Sequence, residues 1–203
     1  MDVADIPLIA GHPALDFLNS VEEPGATGEA DYLSDYERLV RWCVRTGLVA
    51  SAAPLLRAAA RHPDKARRAW GEAADLRATL DAVFRTIARS KPPPAEALEK
   101  FNIALAQAHT HRRLLPQRGG GLAWAFDDPE DLQAPGWQIA LSAAALLTDA
   151  AKLARVRVCA GDCPWMFLDE SRTGKRRWCR MNVCGNAAKV KTFRDRQRGH
   201  SPE

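Results

Sequence analysis

The sequence predicts a mainly helical chain of the α+β kind. A helical body over residues 1–154 carries one small β-hairpin, and a short C-terminal module over residues 155–203 is built of a hairpin and a helix. Three observations lead there. Long stretches repeat apolar residues every three or four positions and are punctuated by Pro and Gly. Between two short apolar runs lies the turn Gly119, Gly120, Gly121, where the helical period is lost. Four of the five cysteines crowd into the last quarter of the chain as two close pairs, Cys159 with Cys163 and Cys179 with Cys184.

The body reads as follows. After an apolar approach at residues 6–10 and the pair His12, Pro13, the run Leu15, Asp16, Phe17, Leu18, Asn19 fits a short helix on the core. Asp16 and Asn19 lie on another side of it, either bonding backbone within the fold or lining a ligand pocket. Ser34, Asp35, Tyr36 and Glu37 form a capping-box pattern for a helix that runs to about Thr46 before Gly47 ends it. Tyr36, Leu39, Val40 and Cys43 share its apolar face, which makes Cys43 a small buried hydrophobe. A second helix covers residues 52–61. A long one follows over 64–89, with Trp70, Ala74, Leu76, Leu80, Val83, Phe84 and Ile87 as core candidates, until Lys91 and three prolines stop it. Residues 95–109 form another amphipathic helix using Leu98, Phe101, Ile103, Leu105 and Ala108. Leu114, Leu115, the glycine turn and residues 122–126 then suggest a β-hairpin or two short strands. Pro135 opens the last body helix, expected from Gly136 to about Ala154, apolar nearly all round and therefore central.

The paired thiols carry the chemistry. Two close pairs separated by fifteen residues are how a chain presents four thiolates to one tetrahedral zinc, each pair on a tight turn. Four protein ligands leave no open position for water or substrate, so the zinc is structural. Two disulfides would need an oxidising compartment, and the N-terminus shows no secretion signal. Gly161 lets the first pair turn tightly enough for backbone N–H groups to point at sulfur. Residues 165–168 read as a strand, 169–174 as a turn and 175–179 as the returning strand, with Trp165, Phe167 and Trp178 packed over the metal. The helix after Cys184 places Asn186, Val190, Phe193 and Gln197 on one side, taken as the packed face; Ala187, Lys191, Arg194 and Arg198 form a second stripe. Turn, hairpin, turn and helix resemble the treble-clef layout of zinc modules.

Charge is unevenly placed. From residue 155 onward there are twelve Lys and Arg against five Asp and Glu, a net +7, whereas residues 1–154 hold 17 basic against 20 acidic side chains. A basic module beside a slightly acidic body is the footprint of a polyanion binder. The side chains that would face phosphate are Arg172, Lys175, Arg176 and Arg177 from the hairpin and Lys189, Lys191, Arg194, Arg196 and Arg198 from the helix. An acidic protein partner is the alternative occupant.

Residues 159–186 closely resemble the CGNR zinc-finger family: Cys-x3-Cys-Pro-Trp-x-Phe-x-Asp-x-Ser, then Arg-Arg-Trp-Cys-x4-Cys-Gly-Asn. Residues 15–20 are similar to the segment that opens that family's helical N-terminal ABATE domain, so the resemblance covers nearly the whole chain. It implies a zinc-dependent, DNA-binding transcription regulator linked to stress, with a body that senses an unknown small-molecule effector or forms a homodimer. One departure stands out: Ala187 follows Asn186 where the family name has arginine.

Other classes find little support. The chain shows no Ser/His/Asp arrangement, open metal site or nucleotide loop with usable spacing, so it is not expected to be an enzyme. No apolar run is long and charge-free enough to span a bilayer. With thiols kept for zinc, the expected location is the cytoplasm. The body joins Cys159 through residues 155–158 with no flexible linker, which predicts a finger held at a fixed angle to it.

Overall fold

The computed structural model describes residues 2–21, 31–117 and 119–198, with side chains described to residue 195 at that end. The first helix, α1 (Pro13–Leu18), starts where the sequence puts it. His12 accepts the Ala14 N–H, and Pro13, lacking an N–H, sits where no donor is needed. In α2 (Tyr36–Arg45) the cap is Asp35, one residue later than the capping-box pattern suggests. Asp35 has the extended backbone a cap requires and accepts the Arg38 N–H at 2.8 Å, while Glu37 pairs with Arg41 one turn on. Helices α3 (Ala53–Arg61), α4 (Pro63–Ile87) and α5 (Ala95–Thr110) follow as expected, the last two divided by the proline run.

The glycine turn closes an antiparallel hairpin, β1 (Arg112–Pro116) with β2 (Leu122–Phe126), Leu114 opposite Trp124. Gly119, Gly120 and Gly121 all have positive φ, a region that side chains disfavour. The last body helix is two. Helix α6 (Ala134–Thr148) stops at Asp149, whose extended backbone and carboxylate cap the short α7 (Ala150–Leu153) through the Lys152 N–H. Apolar periodicity runs across that break because an aspartate cap leaves it intact.

Helix α6 is central, packing against α1, α2, α4 and α5 with Ile139, Ala140, Ala143 and Leu146 buried. Trp42, not among the expected core residues, is fully buried 5.6 Å from the Phe17 ring. On α4 Ala73 is buried where Ala74 was expected, and on α5 only Phe101 and Ala108 are; Leu98 and Ile103 are exposed. Among the described residues, helix α5 packs mainly against α4 and α6, and only a narrow stripe of it is buried. Leu114, Leu115, Leu122 and Trp124 of the hairpin are exposed too.

Asp16 and Asn19 explain the polar side of α1. Asp16 accepts the Ile9 and Ala10 N–H groups, both at 2.9 Å, and so pins the incoming chain to the helix. Burial pushes its carboxyl up to about 6, opposed by those two N–H groups and by Arg45. A carboxyl raised above its unfolded value favours the fold most fully below the unfolded pKa, and that contribution is lost as pH rises through the folded one. Asp16→Asn, which keeps the acceptor without the charge, should therefore gain on wild type in thermal melts as pH is raised from about 4 to about 7. A difference that stays constant across that range would contradict the assignment.

Candidate metal centre and its basic surround

The module begins with two strands, β3 (Val156–Val158) and β4 (Met166–Leu168), paired antiparallel with Val156 opposite Leu168. The expected partner of residues 165–168 was 175–179; the structure replaces it with the strand before the cysteines. Val156 and Val158 are branched residues with a core to meet, whereas Lys175, Arg176 and Arg177 are exposed. Residues 175–179 instead form an irregular arm, held by Ala160 N–H to the Arg177 carbonyl (2.8 Å) and Arg176 N–H to Asp169 (2.9 Å). Asp169 is fully buried and also accepts the Ser171 N–H.

The strand pairing joins the module to the body. Val156, Met166 and Leu168 belong to the same buried cluster as Phe17, Trp42 and Leu146. Asn19 clamps β4 from the body side: its side-chain oxygen accepts the Met166 N–H (2.9 Å) and its amide donates to the Met166 carbonyl (2.7 Å). The Leu168 N–H reaches the Ala10 carbonyl, the Trp165 indole the Val21 carbonyl, and Arg85 of α4 the Pro164 carbonyl. Both polar residues of α1 thus serve backbone groups.

Cys159 and Cys163 occupy the loop between β3 and β4. Cys179 lies just before, and Cys184 within, a wide turn (Met181–Gly185), closed by the Gly185 N–H on the Arg180 carbonyl, that leads into α8 (Asn186–Arg198). The four sulfurs lie within 4.8 Å of one another, with Cys163 3.3 Å from both Cys179 and Cys184, and those two 3.6 Å apart. A disulfide needs about 2.05 Å. Sulfurs about 2.3 Å from one tetrahedral metal stand about 3.8 Å apart, so the cluster has the size of a zinc site.

Its surroundings fit a thiolate set. The Gly161 and Cys179 N–H groups point at Cys159 Sγ from 3.4 and 3.3 Å. A Cβ at Gly161 would stand 3.0 Å from Cys184 Cβ, so glycine lets the two ligand turns close. Burial raises the Cys159 thiol, but those N–H groups and the neighbouring sulfurs bring it below the ordinary value. Burial, with the hydrogen bond to Cys184, pushes Cys163 up to about 12, and Cys179 rises for the same kinds of reason. A divalent cation reverses that preference by holding thiolates deprotonated. Phe167, Trp165 and Trp178 pack round the sulfurs, joined by Ile9 of the body.

The nine expected phosphate-facing cations divide. Arg172, Lys175, Arg176, Arg177, Lys189, Lys191 and Arg194 are exposed; the side chains of Arg196 and Arg198 lie outside the described residues. Arg176 is already engaged: it donates to the carbonyls of Trp178 and Cys179 and lies 4.6 Å over the Phe167 ring. Arg177 lies over Trp178, and Lys191 pairs with Asp162 at 3.5 Å. Arg180, beside Cys179, is a further exposed cation on this surface that the motif spacing does not single out.

The face of α8 expected to pack is open. Val190 is 48% and Phe193 63% exposed, whereas Ala187, Ala188, Lys191, Thr192 and Asp195 border a cleft of about 190 Å³ beside Gly161 and Asp162. The stripe headed by Ala187 therefore turns in part toward the first cysteine loop.

These features define a class: a four-cysteine zinc finger whose hairpin is built into the core of a helical body. The chain belongs to the ABATE family, described as "Putative stress-induced transcription regulator", which matches residues 11–150; residues 155–197 match the CGNR zinc finger. The four cysteines hold one structural zinc. No curated protein matches the chain. Among the described residues, no helix is long and apolar enough to cross a membrane.

Proposed function

We propose that the chain is a zinc-dependent DNA-binding transcription regulator, in which the finger contacts phosphate and the helical body receives a signal. The observation that carries this reading is the exposure of Arg172, Lys175, Lys189, Arg194 and Arg180 on a module of net charge +7, joined to a body without that excess. None of these five has an ion-pair partner among the described residues. Their charge is available to a polyanion, and counterion release then makes binding salt-dependent.

Signal reception is supported by a groove of about 490 Å³ between the α3–α4 junction and the loop before α6, bordered by Arg61, His62, Lys65, Arg68, Glu130 and Asp131. Helix α4 leads from that groove to Arg85, which holds the Pro164 carbonyl in the first cysteine loop. A small-molecule effector there would act on the finger through one rigid element.

The test is fluorescence anisotropy of zinc-loaded protein with a random duplex across a salt series. Lys189→Ala and Arg194→Ala should each weaken binding and lower the log–log salt slope by about one. Wild-type binding that ignores salt would point to an acidic protein partner for this surface.

A further inference from the structure

We infer that α8 lies in the major groove of duplex DNA with Val190 and Phe193 against thymine methyl groups. This rests on the DNA-binding reading and says what the finger reads.

The helix has two unlike sides. Its underside borders the cleft beside the cysteine loop through Ala187, Ala188, Thr192 and Asp195, with Lys191 tied to Asp162. Its outer side carries Val190 and Phe193, three apart and therefore neighbours on one face, about half and nearly two-thirds exposed. Val190 and Phe193 together make an apolar patch open to water on a helix otherwise lined with small, polar and charged side chains, the kind of surface that marks a contact site.

The cations choose the occupant. At about 100° per residue, Lys189 lies about 70° to one side of the Val190–Phe193 centre line and Arg194 about 70° to the other. Both are exposed, and the helix's acid, Asp195, sits on the far side. An apolar stripe with a cation on each shoulder matches a groove with apolar groups on its floor and phosphate on both walls. A helix about 10–12 Å across enters the roughly 12 Å major groove, whose one apolar group is the thymine 5-methyl. A single strand offers one wall.

The experiment uses zinc-loaded full-length protein and two probes: an alternating A·T duplex, and the same duplex with uracil for every thymine. Loss of one methyl contact should weaken binding about fourfold, the effect of exposing one buried methyl group. The double variant Val190→Ala/Phe193→Ala changes exposed side chains only, so its zinc content and circular dichroism should match wild type. It should bind both duplexes equally, with the wild-type salt slope. Equal wild-type affinity for the two duplexes at an intact salt slope overturns the base contact and leaves the DNA reading standing. So does tighter binding to a single strand that the double variant loses, or a wild-type dimer in sedimentation velocity that the double variant dissolves. No salt-dependent binding to any duplex overturns both.

Discussion

Chelating the zinc is expected to unfold the arm and terminal helix while leaving the module's strands in place. The four sulfurs lie within 4.8 Å of one another, and burial favours protonated thiols at Cys163 and Cys179, a preference that a bound divalent metal reverses. The cluster around them contains little else: Phe167, Trp165, Trp178 and Ile9. Structural zinc binding contributes about 10–16 kcal/mol, as much as an entire domain's usual stability of about 5–15 kcal/mol. Residues 172–198 should therefore exchange their amide hydrogens at near-unfolded rates once zinc is removed. Residues 156–158 and 166–168 should stay protected, because Val156, Met166 and Leu168 are held by the body's core. Hydrogen-exchange mass spectrometry with and without chelator reads both halves. Cys179→Ala should reproduce the pattern, with zinc content falling from one per chain toward none. Loss of protection in the strands as well would show that the metal, not the body, holds them.

Asn19→Ala is expected to be the most damaging single change outside the metal centre. Asn19 is 3% exposed and satisfies both the N–H and the carbonyl of Met166. The alanine variant leaves two buried backbone groups unpaired at about 1–3 kcal/mol each. A loss of roughly 2–6 kcal/mol corresponds to a fall in melting temperature of roughly 4–24 °C for a chain of this size. Early exchange of the Met166 amide in the variant would place the damage at the joint between body and finger. A melting temperature within about 2 °C of wild type would mean that water replaces both bonds at little cost.

Much of this architecture is legible along the chain, and the misses share a cause. The zinc ligands show because metal spacing is a local property: Cys159 with Cys163, and Cys179 with Cys184, each need only a short turn. Helix limits show because Pro13, Pro63, Pro94 and Gly47 act on their own dihedrals and on near neighbours. Asp35 in place of Ser34 is a one-residue error of the same local kind. The partner of β4 did not show, because residues 156–158 and 175–179 are both short and adjacent to cysteines, and burial against α1 decides between them. The face of α8 did not show either, since counting apolar positions assumes a core on their side. Here the small residues Ala187 and Ala188 turn to the cysteine loop, and Val190 and Phe193 face water.

Residues alone specify a helical body, a four-thiolate zinc site and an excess of positive charge on the last fifty residues. Those properties depend on chemistry within a few positions or on composition. Tertiary packing settles the remaining points: the α1 residues Asp16 and Asn19 serve backbone groups, the finger's hairpin shares the body's core, and an apolar, cation-flanked face of α8 is left open. Each of these is a question of burial, and burial depends on which distant segments come together, because the apolar contact that drives it has no direction or sequence range of its own.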